Sequence, residues 1–290
     1  MSDMYQKRIQ IPSRGKVGNS HINFRTPNAG ELLSYTEFQG NHVYIINELI
    51  NSITDDDIYN YTVGDRDFIA LNIRSALKGD DYNGSFKCDK CGKKITFSLS
   101  LSNDIKVYQL PDDFEHPSKF TLPISNKEVQ VSLFTVEKEL KFEDYMELYR
   151  TSDDQKNLKH YDLYEKNALN SFVKYAVMLE EPGGSIDEKI TFLRKLDFSD
   201  LYYGFIFYES LFKVGPDLSY QTKCDDCDIN YKVKIPIDSS FFGVDSEYLL
   251  LGLRFLSKSM GIDYKGFKEM SSNQFEWMLS KEMSKNKSSK

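Results

Sequence analysis

The four cysteines of this 290-residue chain fall into two Cys-x-x-Cys turns, Cys88-Asp89-Lys90-Cys91 and Cys224-Asp225-Asp226-Cys227. Such a turn places two sulfurs within reach of one ion, and two turns complete a tetrahedral all-cysteine site. Strict alternation follows each turn, with Ile95, Phe97, Leu99 and Leu101 after the first and Tyr231, Val233, Ile235 and Ile237 after the second. That pattern marks a strand with one buried face. The same cysteines can also be read as four buried thiols or as two redox dithiols. A redox Cys-x-x-Cys usually opens a helix in a βαβ setting, however, and these two precede strands. The expectation is a structural Zn2+ held by Cys88, Cys91, Cys224 and Cys227, with no coordination position open for chemistry. The stretch between the turns is far too long for a ribbon loop. The fold expected is therefore α+β: a zinc-ribbon-like β core of two knuckles, with a helical insertion and flanking N- and C-terminal helices.

Composition narrows the class. A hydrophobic share of 40% and an aromatic share of 14% suffice for a packed core. No run approaches the ~18 apolar residues of a membrane span, and no secretory signal opens the chain, so a cytosolic setting is expected and a disulfide framework is disfavoured. A formal charge of −7 and a pI near 5.3 argue against a general nucleic-acid binder. The ends are locally basic: Lys7, Arg8, Arg14, Lys16 and Arg25 near the start, Lys281, Lys285, Lys287 and Lys290 at the finish.

Periodicity divides the chain into five stretches. Residues 1–27 form an arm or hairpin, and 28–135 a helical segment with the first knuckle and a β-hairpin. Residues 136–213 are the helical insertion, 214–243 the second knuckle, and 244–290 a C-terminal helical extension with a basic tail. In the second stretch, Gly64-Asp65 ahead of an apolar-periodic run reads as a helix start with Asp65 as its cap, and Lys78-Gly79 as its end. Arg66 has the further option of pairing with a carboxylate across a domain or subunit boundary. Phe120, Leu122 and Ile124 alternate, Ser125-Asn126-Lys127 turns, and Val129, Val131 and Leu133 alternate back.

Helices are expected over Glu137–Tyr149, Leu163–Leu179, Ser185–Leu196 (opened by a Ser185–Glu188 capping box), Leu201–Phe212, 245–258 and Asn273–Met283, with a polar stretch over Thr151–Lys159 and a frayed tail from Ser284. His21, His42, His116 and His160 lie at no metal-ligand spacing and beside no nucleophile motif. There is no phosphate loop, Gly-x-Ser-x-Gly elbow or His-Glu-x-x-His, so an enzyme is not expected.

Taken in order, several landmarks carry a resemblance: Pro12-Ser13-Arg14-Gly15-Lys16, Phe24-Arg25, Gly64-Asp65-Arg66, the first knuckle, Leu122-Pro123, the helical insertion, the second knuckle and Phe241-Phe242. Over about residues 9 to 243 the chain resembles the baseplate hub assembly proteins of T4-type contractile-tailed phages; its C-terminal helices look like an addition. The resemblance implies a structural or chaperone-like role in virion morphogenesis, in the host cytoplasm and the tail baseplate. Hub and tail proteins would be the partners, with Asp65, Arg66, Phe241 and Phe242 as contact residues and no small-molecule substrate. The alternative is a nucleic-acid-binding zinc-ribbon protein. It is weakened by charge, since Lys90, Lys93 and Lys94 on one knuckle face Asp225, Asp226 and Asp228 on the other.

Overall fold

A computed structural model describes residues 7–37, 42–151, 163–211, 213–238, 241–242 and 246–288. Most of the expected polar stretch Thr151–Lys159 lies outside these residues, as do His160, Phe212 and Gly243. The chain opens with β1 (Lys7–Gln10) antiparallel to β2 (His21–Phe24), Ile9 facing Ile22. Helices α1 (Ala29–Glu37) and α2 (His42–Ile53) follow, α2 burying Leu49, Ile50 and Ile53 on one stripe. Helix α3 (Val63–Lys78) starts earlier than expected. Thr62 is its cap and Asp65 the third helical residue: the Thr62 hydroxyl accepts from the Asp65 amide and the Asp65 carboxylate from the Thr62 amide. Gly79, at φ 81, ends the helix in a backbone conformation open to glycine.

Each knuckle is the tip of a β-hairpin, so a strand leads into it as well as out. The first hairpin is β3 (Asp81–Lys87) with β4 (Lys94–Ser100), in register from Asp81–Ser100 to Lys87–Lys94. Beyond it come β5 (Val107–Tyr108) and the expected hairpin, β6 (Ser118–Thr121) with β7 (Glu128–Val131). Then follow α4 (Val136–Thr151) and α5 (Leu163–Met178). Leu179, the last residue expected in this helix, leaves it, and β8 (Leu179–Glu181) joins β7 as a third strand. Helix α6 (Ile186–Arg194) carries the Ser185–Glu188 capping box, and α7 (Phe198–Leu211) follows.

Strand β9 (Gly215–Pro216) pairs with β5 and leads into the second knuckle hairpin, β10 (Ser219–Cys224) with β11 (Ile229–Lys234). The described residues close with α8 (Ser246–Met260), a short α9 (Tyr264–Glu269) that periodicity did not reveal, and α10 (Ser272–Ser288), which continues past Ser284, where fraying was expected to begin.

Among the described residues three larger apolar cores result, beside a small cluster of Cys88, Ile95 and Cys224 at the knuckles. The first joins Ile11, Ile22 and Phe24 to α2, α3, the bases of both knuckle hairpins and Phe241-Phe242. The second joins the β6–β7–β8 sheet to α4–α7. In the third, α8–α10 close over α1. Backbone contacts tie this last group down, with the Ala29 amide donating to the Met270 carbonyl and the Ser272 hydroxyl to the Pro27 carbonyl.

Candidate metal centre

The two knuckle hairpins pack face to face through aromatic side chains. Phe86 meets Tyr231 edge-on at 5.1 Å between ring centroids, and Phe97 stacks on Tyr220 at 5.4 Å. Gly84 lies directly across from Phe97, where an added Cβ would sit 2.3 Å from the ring. Glycine is thus what lets Phe97 lie flat between the hairpins. Tyr82 continues the contact to Phe241, and Phe241 to Phe242, so the wedge is rooted in the first core.

At the tips the four sulfurs converge. Cys88 Sγ is 3.8 Å from Cys227 Sγ, Cys91 Sγ is 3.8 Å from Cys224 Sγ, and all four lie within 4.8 Å of one another. These separations are far from the ~2.05 Å of a disulfide. They match the about 3.8 Å edge of a tetrahedron whose vertices are about 2.3 Å from a central zinc. Cys88 and Cys224 are buried, Cys227 is half-buried and Cys91 exposed. The donor set therefore fits a soft divalent ion.

The surroundings favour a thiolate at Cys88. The Tyr231 hydroxyl lies 3.1 Å from its sulfur and accepts from the Asp89 amide. That hydroxyl brings the Cys88 thiol down to about 6, and the shared proton drives Tyr231 up to about 12. Hydrogen bonding to Cys91 leads the causes that push Cys227 up to about 12. The knuckle charges prove complementary: Lys93 pairs with Asp226 across the hairpins at 2.6 Å, and Lys223 pairs with Asp228.

The other expected site residues lie elsewhere. Asp65, Arg66, Phe241 and Phe242 are all buried, which leaves them little surface to offer a partner. Asp65 accepts from the Ser13 amide at 2.9 Å, fastening the N-terminal arm. Arg66 pairs with Asp67 at 2.9 Å and with Glu139 of α4, and also donates to Asn47. It does pair with a carboxylate from a distant stretch, one inside the same chain. Phe241 and Phe242 fill the first core, Phe242 edge-on to Tyr35 at 5.5 Å. His116 accepts from the Leu133 amide through Nε2, a packing role. Sequence reading missed Tyr231, Glu139 and Gly215 as site or junction residues; the alternation places Tyr231 on a strand, but nothing in it assigns the hydroxyl.

Residues 4–118 match the family described as T4 bacteriophage base plate protein. Over these residues the chain is similar to T4-type phage baseplate proteins. The baseplate match takes in the N-terminal arm, the Gly-Asp-Arg motif and the first knuckle, and stops well before Cys224 and Cys227. No curated protein and no solved structure matches the chain. No helix among the described residues is long and apolar enough to cross a membrane.

Proposed function

We propose that the protein is a structural or chaperone-like component in assembly of a contractile-tail baseplate hub, built around a structural zinc ion held by Cys88, Cys91, Cys224 and Cys227. The observation that carries this reading is the baseplate match over residues 4–118. The thiol geometry adds the zinc: four cysteines leave no open position, so the ion would pin two hairpins together and leave water unactivated. The protein acts by presenting surfaces to hub and tail proteins, in the infected cell or the finished baseplate. Exposed side chains suited to such contact line the outer face of α7, with Phe198 79%, Tyr202 59% and Ile206 51% exposed.

The nucleic-acid alternative loses further ground. Lys93 and Lys223 pair with Asp226 and Asp228, which takes two positive charges away from any phosphate-binding face at the knuckles. A tagged chain recovered from infected cells should bring down baseplate proteins and carry one zinc per chain. A monomer that captures none of them, or salt-dependent retention on DNA, would overturn the assembly role.

A further inference from the structure

We infer that the Gly-Asp-Arg motif is the positioning element of the thiol site, and that Gly64 fixes where the second knuckle hairpin begins. The inference rests on reading the four cysteines as a metal site.

Both hairpins spring from the two ends of one helix. At the C-terminal end of α3, the Arg74 guanidinium donates to the carbonyls of Gly79 at 3.0 Å and Asp81 at 3.2 Å, setting the direction in which β3 leaves. At the N-terminal end the link is backbone against backbone. A Cβ added to Gly64 would lie 1.8 Å from the Val214 carbonyl oxygen and 2.5 Å from its carbon. A Cβ on Gly215 would lie 2.3 Å from the Gly64 oxygen, and Gly215 has φ +95, a conformation that costs other residues strain. Two glycines far apart in sequence thus pack against each other, and the chain runs from the second through β9 directly into β10 and Cys224.

The other two residues of the motif hold the platform still. Asp65 secures the arm at Ser13, and Arg66 secures α4 at Glu139. A side chain at position 64 meets main-chain atoms, which cannot swing aside as the end of a flexible side chain can. Residues 214–215 must then move away from α3, and pairing of Tyr108 with Gly215 and Val107 with Pro216 carries the shift to the foot of β10. Metal–sulfur distances hold to within about 0.2 Å, so a displacement near an ångström takes one sulfur pair out of reach of an ion held by the other.

The test uses the full chain and Co2+ as a spectroscopic stand-in for Zn2+, with affinity read by competition against a chromogenic chelator. Gly64→Ala is compared with Gly252→Ala. Gly252 is also crowded in a helix, 2.3 Å from the Phe275 ring for an added Cβ, but by a side chain and in the C-terminal core. The G64A chain is expected to bind at least threefold more weakly than G252A, with altered thiolate-to-cobalt absorption, even where the two melt alike. A smaller difference overturns the inference. Wild-type protein that takes up no Co2+ overturns the metal reading itself.

Should G64A not fold, amide exchange on wild type decides, because coupling between sites is reciprocal. Chelation should speed exchange at residues 63–66 and 214–216 as well as at the knuckles. Loosening confined to residues 88–92 and 224–228 overturns the inference.

Discussion

The thiol site and the Gly-Asp-Arg junction both gather segments distant in sequence, yet by opposite means. At the knuckle tips one chemistry is repeated four times: sulfurs from residues 88, 91, 224 and 227 surround a single point. At the start of α3 three neighbouring residues each use a different interaction. Gly64 offers bare backbone to Val214, Asp65 a carboxylate to the Ser13 amide, and Arg66 a guanidinium to Glu139. On the proposed metal reading the first device is held by an ion from outside the chain, and the second is complete without it. Metal removal should therefore loosen the knuckle hairpins most and reach the junction only by way of β9 and β10, whereas point mutations at the junction should loosen several segments at once.

Chelation gives the largest expected effect. Exhaustive treatment of metal-loaded protein with a chelator, or the Cys224→Ser substitution, should lower the melting temperature sharply and expose the β3–β4 and β10–β11 hairpins to proteolysis. The β6–β7–β8 block, with a core of its own, should keep its amide protection. Equal loss in both would show that the thiol site does not act locally.

Arg66→Ala comes next. Arg66 is 7% exposed and serves two carboxylates, so truncation leaves buried charge without its partner, at a cost of about 3–5 kcal/mol in denaturant unfolding. Replacing Arg66 and Glu139 together with Met and Leu should cost much less, since Glu139 is the carboxylate supplied from α4. Lysine at 66 should not restore stability, because it lacks the fork that reaches Asp67, Glu139 and Asn47 at once.

The same contrast explains what was legible beforehand. Cysteines three apart meet through a local turn, so spacing alone brings them into view, and the alternation of Ile95 to Leu101 shows the strand that follows. The strand before it, Asp81-Tyr82-Asn83-Gly84-Ser85-Phe86-Lys87, alternates too, but a central glycine argues against a strand until Phe97 is known to lie over it. Gly64-Asp65-Arg66 was legible as a helix start, but the cap was placed three residues late, at Asp65, which is the third helical residue behind the true cap Thr62. Its long-range partners, Ser13, Glu139 and Val214, leave no local trace. Nor does β8, which continues from α5 without a break and becomes a strand only because β7 offers it an edge.

Smaller effects sharpen the boundary between the two devices. Thr62→Ala removes one capping acceptor from α3 and should cost about 1 kcal/mol, well under Arg66→Ala. His116 provides a pH-dependent counterpart in the second core. Burial and nearby Lys138 hold its pKa below the ordinary value, and its Nε2 accepts from the Leu133 amide, which requires the neutral ring. Its contribution is fully present above about pH 6.5, the unfolded value, and is lost as pH falls toward the lowered folded one. Stability should decline across that window, and His116→Gln should flatten the decline relative to wild type.

The weakest expected effect is at Lys93. Its ammonium is 2.6 Å from Asp226 and bridges the two knuckles, yet the side chains are 64% and 47% exposed, so solvent screens the pair and ordering two long side chains offsets most of the attraction. Lys93→Ala should leave the melting temperature of the metal-loaded chain unchanged within error. In the metal-free chain aromatic packing, the contacts of the Tyr231 hydroxyl with Cys88 and Asp89, and this ion pair join the tips, so K93A should there speed proteolysis of the hairpins, and added salt should mimic it in the unmutated chain. A K93A chain that melts early with metal bound would mean that charge complementarity, and not the sulfur cluster, holds the knuckles together.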